Sequence, residues 1–485
     1  MLAAMPPTSP TPVNRDEAAA RAPFRGAARD AVGEPVGESV RDSLPDAVRD
    51  AVRVRGDACP GALRLHHADD GALARLRLPA GLLTHRQALA LADAAERLGD
   101  GHLDLTSRGN VQLRGLGASC GGELADLLHE AGLLPSEEHE RVRNIVASPL
   151  AGLDGLGAGD VQLWARRLDG LLCASEAATE LSGRFLFALD DGRGDVAALG
   201  ADVTLLARRD GTAEVHIGAS RPPYGEQAVR AVRVPAADAP RAALLAAETF
   251  LTTARASGTG AWRVGDLPAG AARGLAAAVA ERLTAAGIEV LAGDAGDTRG
   301  AAEAPAPGLI RSPDSPNSPD STVALSAYPR LGRLSVAQWR LLLGGGGGLR
   351  LTPWRGVIVP GLAPDAAADL LGRLRTAGLV TEPDSPWLGV GACTGRPGCA
   401  KALADVRADA AASVAAGRDG DRTGLPVYWS GCARRCGHPQ GDRVDRVATG
   451  EGRYTVSVHK RNTRNTRDER DERDERDENV KTTQS

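Results

Sequence analysis

The stretch LDLTSRGNVQLRGL at residues 103–116 recurs without a gap as LRLTPWRGVIVPGL at residues 349–362. The copies agree at Leu103/Leu349, Leu105/Leu351, Thr106/Thr352, Val111/Val357, Gly115/Gly361 and Leu116/Leu362, and Leu113 is answered by Val359. Alternating apolar positions on either side of a Thr-containing turn predict strand, turn, strand in each copy. The flanks repeat as well. An apolar strand precedes each copy, ALARLRLPAG at 72–81 and TVALSAYPRLG at 322–332, and a helix then opens on Thr84 or Ser335 as N-cap. A second helix follows each copy, GGELADLLHEAGL at 121–133 and APDAAADLLGRLRTAGL at 363–379. Each half-unit exposes one apolar face, so the two are expected to pair about a pseudo-twofold axis in an α+β fold.

At 485 residues the chain is long enough for roughly three domains at about 150 residues each. The expected boundaries run outward from the repeats. Residues 57–134 and 323–383 hold the two half-units, 135–305 an α+β domain, and 384–460 a cysteine-bearing domain. Between the halves, SPDSPNSPDS marks a linker assigned to 306–322. Residues 1–56 lack a steady apolar period and read as a disordered arm. The mixed-charge repeat at 461–485 has too few apolar residues to bury a core and reads as a disordered charged tail.

The formal charge of -4 leaves no global basic field for nucleic acid or anionic lipid, so an anionic ligand must meet a local basic pocket. The N-terminal residues interrupt any apolar run with Pro, Asp, Glu and Arg. No stretch of about 18 apolar residues occurs, and a soluble, cytoplasmic protein is expected. Nor does a G-x-G-x-x-G follow a predicted strand, since GGGGG at 344–348 reads as a loop; electrons are expected from a separate protein.

Seven cysteines without a signal peptide point to metal or redox use rather than disulfides. Cys59, Cys120 and Cys173 are scattered, whereas Cys393, Cys399, Cys432 and Cys436 fall within 44 residues as C-x5-C, 32 residues, C-x3-C. Four thiolates supply one ligand to each iron of a [4Fe–4S] cubane, and Gly391, Gly395, Gly398, Gly431 and Gly437 let the backbone close around it. A four-cysteine zinc site is the competing reading, but an x5 loop is loose for a zinc knuckle.

The cluster motif, together with the T-x-R turn of LDLTSRGNVQLRGL, resembles the nitrite/sulfite reductase family over about residues 58–460. That resemblance implies duplicated ferredoxin-like half-domains and a reductase-type cluster domain. It places the T-x-R arginine at Arg108 and the R-N-V-type segment at Arg143 and Asn144. The family's K-x-K falls on Arg184-Phe185-Leu186, so the second basic residue has become apolar. Reducing a small anion needs charge and proton donors at that shell, which Leu186 cannot supply.

The resemblance therefore implies a branch that binds a tetrapyrrole beside the cluster, where the reductases hold sirohaem. The implied activity is an oxygen-dependent monooxygenation of precorrin-3A to precorrin-3B. Its implied cofactors are the [4Fe–4S] cluster and a mononuclear non-haem iron, with O2 as co-substrate. Electrons would come from NAD(P)H through a ferredoxin or flavin reductase. A sirohaem-dependent sulfite or nitrite reductase and a non-enzymatic iron–sulfur electron carrier are the alternatives.

A precorrin carries many carboxylates, which guanidinium forks bind in bidentate fashion. Arg108, Arg114, Arg143, Arg184 and Arg355 are the candidates, with Asn144 and Gln112 beside them; pairing with surface carboxylates is the plainer role for each arginine. Asn110 and Gln112 of the first copy are answered by Gly356 and Ile358, which suggests that the first copy faces substrate. Two His-x-Asp pairs, His67 with Asp69 and His102 with Asp104, offer iron-ligand types, and His438 lies two residues past Cys436.

Overall fold

The computed structural model describes residues 60–218, 231–291, 303–312, 322–417, 424–439 and 442–460. The expected arm at 1–56, the tail at 461–485, Cys59 and linker residues 313–321 lie outside the described residues.

The repeats build two five-stranded sheets that exchange an edge strand. One runs in the order His66–Ala68, Gly71–Leu76, Val111–Leu116, His102–Leu105, Arg333–Ser335; the other runs Gly308–Ile310, Val323–Ala327, Val357–Leu362, Leu349–Leu351, Leu82–Leu83. The short strand before each first helix therefore pairs with the opposite half: Leu334 with Leu103, and Leu349 with Leu83. Local backbone obeys the same symmetry, with Ala80 and Leu331 both at φ 56° just before those strands.

The helices His85–Arg97 and Val336–Leu342 start at Thr84 and Ser335, each in a capping box with Gln87 or Gln338 that satisfies otherwise unpaired amides. Trp339 is fully buried, and its indole N–H donates to the Ala88 carbonyl at 2.8 Å, so the two helices lock across the pseudo-axis. One apolar core runs through both halves, from Leu76, Leu103 and Leu113 to Leu325, Leu351 and Val359. The fold is α+β with paired half-units, as the repeat implied, and they are the duplicated ferredoxin-like half-domains that the family resemblance implied.

One boundary is corrected. Gly308–Ile310, assigned to the linker 306–322, is an edge strand antiparallel to Val323–Ala327, its short apolar run completing the second sheet.

Between the halves in sequence lies a sheet of Ile145–Ala147, Phe187–Asp190, Val203–Ala207, Thr212–Ile217 and Ala231–Pro235, packed with the helices Val161–Ala174, Ala239–Ser257 and Ala269–Ala285. The last sheet holds Val390–Ala392, Val427–Ser430, Arg443–Gly450 and Arg453–His459, with the helix Val406–Ala415 on one face. Among the described residues no helix is long and apolar enough to cross a membrane.

Candidate functional site

Strand order brings the two cysteine pairs together. Val390–Ala392 and Val427–Ser430 are parallel neighbours with Ala392 opposite Trp429, so the turns that leave them emerge side by side from the carboxyl end of the sheet. Cys393 follows the first strand directly, and Gly431-Cys432 the second. The turns then interlock: Cys393 N–H donates to the Trp429 carbonyl at 2.9 Å, and Leu403 N–H to the Gly431 carbonyl at 2.8 Å. Gly431 is required by close approach, since a Cβ there would stand 2.7 Å from the Ala402 side chain.

The Gly431 amide donates to Cys393 Sγ at 3.1 Å, and the Gly395 amide supports the same sulfur. Amide donors to thiolate sulfur tune iron–sulfur ligands. Burial pushes the Cys393 thiol up, the two amides oppose that shift, and the Cys432 and Cys399 charges add to it.

Two kinds of centre take four thiolates. Zinc holds thiolates at about 2.3 Å, which sets four of them about 4 Å apart. In a cubane each of the four thiols, delivered here by two interlocked turns, takes a different corner.

The first repeat braces the C-x5-C loop. Arg114 donates to both Asp70 carboxylate oxygens, at 2.8 and 2.7 Å, and to the Gly398 carbonyl at 2.9 Å. Asp69 accepts from the Ala400 amide. From the second repeat, Arg355 donates to the Gly437 carbonyl beside Cys436. Its guanidinium lies 5.7 Å from the ring centre of Tyr428, whose hydroxyl donates to the Cys436 carbonyl at 2.7 Å. His438 turns inward to its own loop, its Nδ1 at 2.9 Å from the Arg435 carbonyl.

The predicted binding residues divide. Arg108 and Asn144 converge on the Gly183 carbonyl, at 3.4 and 2.8 Å, one residue before Arg184. Arg184 lies over the Trp262 ring at 4.9 Å. Gln112 accepts from Arg75 at 3.1 Å. Arg143 is a correction: it is buried in a two-bond pair with Asp169, at 2.6 and 2.7 Å, and also donates to the Leu133 carbonyl at 3.2 Å, so it is not a rim cation. Arg114 likewise is a brace.

Of the His-x-Asp pairs, His67 and Asp69 are exposed, while His102 and Asp104 are engaged by neighbours. Asp104 holds Arg407 at 2.9 Å, and His102 Nδ1 lies 2.9 Å from the Asp100 carbonyl.

Other basic groups gather near Cys436, which is exposed. His66 is held below its usual range by burial and then by His67, Arg114, Arg75 and Arg434. Lys401 feels Arg434, Cys432 and Cys436. Nothing in local spacing marks these residues, because strand pairing and the cluster loops assemble them. Trp354, also missed, did carry a signal: it occupies the repeat position of Arg108.

Known proteins show the same plan. The nitrite/sulfite reductase ferredoxin-like half domain matches residues 66–131. A precorrin-3B synthase of Sinorhizobium sp is 26% identical over 414 residues, covering 82% of each chain. A ferredoxin–nitrite reductase of Synechococcus elongatus is 38% identical over 127 residues, a quarter (25%) of each chain. In fold, the Mycobacterium tuberculosis NirA protein superposes with a TM-score of 0.60 over 80% of this chain and 73% of that one, at 18% identity. In sequence and fold together, the chain resembles precorrin-3B synthase within the nitrite/sulfite reductase family.

Proposed function

We propose that this protein is a cytoplasmic, oxygen-dependent monooxygenase that converts precorrin-3A to precorrin-3B, adding a C20 hydroxyl as a ring A acetate closes to a lactone. The observation that carries this reading is the similarity to a precorrin-3B synthase along 82% of both chains, which extends past the shared half domain into the cysteine-bearing domain. Leu186 supports it. The side chain is buried among Val146, Ala188, Val196 and Ala201, where an anion reductase would need a second cation.

Cys393, Cys399, Cys432 and Cys436 would hold the [4Fe–4S] cluster, and a mononuclear non-haem iron completes the cofactor set implied by the family resemblance. When bound, the cluster would supply electrons one at a time beside the macrocycle. The protein's own part is recognition and enclosure. Arg355, Arg434 and Lys401 present positive charge near Cys436, suited to peripheral carboxylates, and Arg108 and Arg184 add two guanidinium groups at the Gly183–Arg184 segment.

Overall, O2 takes up two electrons and two protons; one oxygen enters the substrate and the other leaves as water. The electrons derive from NAD(P)H through a ferredoxin or flavin reductase. Incubation with precorrin-3A under ¹⁸O2 tests the proposal: one heavy oxygen in the product supports it. Sirohaem in the purified protein, with sulfite or nitrite reduced in the absence of air, would replace it with the reductase reading.

A further inference from the structure

Resting on that reading, we infer that Trp354 is the residue against which the face of the tetrapyrrole packs, and that it selects a planar macrocycle over smaller polycarboxylates. The two repeats differ at this point. Thr106-Ser107-Arg108 ends in a cation, and Thr352-Pro353-Trp354 ends in an indole at the pseudo-symmetric position. Arg108 reaches the Gly183 carbonyl, whereas Trp354 packs against Val146, Leu186, Ala188, Val196 and Ala201. The two turns therefore approach the same Gly183–Leu186 segment, one with charge and one with a flat apolar surface.

On its other side, Trp354 is followed by Arg355, which donates to the Gly437 carbonyl next to Cys436. Trp354 is thus joined through its neighbour Arg355 to the Gly437 loop, and its indole packs on the Leu186 group next to the segment that Arg108 and Asn144 contact. Trp354 itself is only partly buried, unlike Leu186 beneath it at 5% exposure. An indole with firm apolar backing and an open side is suited to stacking, and its two side-chain torsions cost little to order. Arg108, at the repeat-equivalent position, and Arg355, next in sequence, supply cations for the anionic rim of a disc whose faces are apolar.

The test uses the full-length protein purified anaerobically, with uroporphyrin III as a metal-free, planar polycarboxylate probe titrated by its absorbance. Trp354→Ala is expected to weaken binding about tenfold or more, whereas Trp354→Phe retains most of it. Iron and sulfide content and the thermal midpoint serve as the folding control. If wild type and Trp354→Ala bind equally, or if Trp354→Phe loses as much as Trp354→Ala, the assignment of Trp354 is wrong while the proposed activity stands. Should wild type bind neither uroporphyrin III nor precorrin-3A, the proposed function itself fails and the inference falls with it.

Discussion

Arg114 grips Asp70 through two nitrogens, at 2.8 and 2.7 Å, and one of them also reaches the Gly398 carbonyl inside the C-x5-C loop. A pair within the first ferredoxin-like half thereby holds a loop 284 residues further along the chain. Gly398 has room for no Cβ there, since one would stand 2.6 Å from Asp70 Oδ2.

Arg114→Met leaves Asp70 without its partner and frees the loop. Because Arg114 is 5% exposed, breaking this pair is expected to cost about 3 kcal/mol. Denaturant unfolding measures that loss, and iron analysis should show partial loss of the cluster. Full iron occupancy with unchanged stability would show that the brace is dispensable.

Arg355 holds a backbone conformation that its repeat partner reserves for glycine: φ is 60° at Arg355 and 65° at Gly109. Arg355→Gly therefore relieves strain, and stability should change by no more than about 1 kcal/mol. Binding of the macrocycle should fall severalfold as the contact to Gly437 and the rim charge are lost. A variant that is strongly destabilised yet titrates normally would reverse the roles assigned here.

Buried Asp195 accepts from Ser148 at 2.6 Å beside Asp190, which itself takes the amides of Gly192, Gly194, Val196 and Ala197. Burial, then the Asp190 charge, pushes Asp195 up to about 7. The folded state holds this proton more tightly than the unfolded state. Its contribution is full below about pH 4 and is lost as pH rises toward 7. Asp195→Asn, which still accepts from Ser148, should be more stable than wild type at pH 8 by a few kcal/mol and flatten the stability profile between pH 4 and 7. Parallel profiles for the two proteins would refute this.

The repeat was legible because strand alternation, the Thr turn and the Thr84 and Ser335 caps are local features, and so was the cysteine spacing. The strand exchange was not: Leu82–Leu83 and Arg333–Ser335 are two and three residues long, too short to carry a period. Arginine roles were hidden for another reason. Arg143 and Arg114 resemble rim cations until the fold delivers Asp169 or Gly398, whereas His66, Lys401 and Arg434 gain meaning only when the cluster loops approach them. Trp354 was within reach of the aligned repeats, where an indole answers a guanidinium.

The most direct test is iron, sulfide and zinc analysis of the anaerobically purified protein, repeated for serine variants of Cys393, Cys399, Cys432, Cys436, Cys120 and Cys173. About four to five irons and four sulfides per chain are predicted, with sulfide lost in each of the first four variants and retained in the last two. One zinc per chain and no sulfide would contradict the cluster and the redox chemistry built on it.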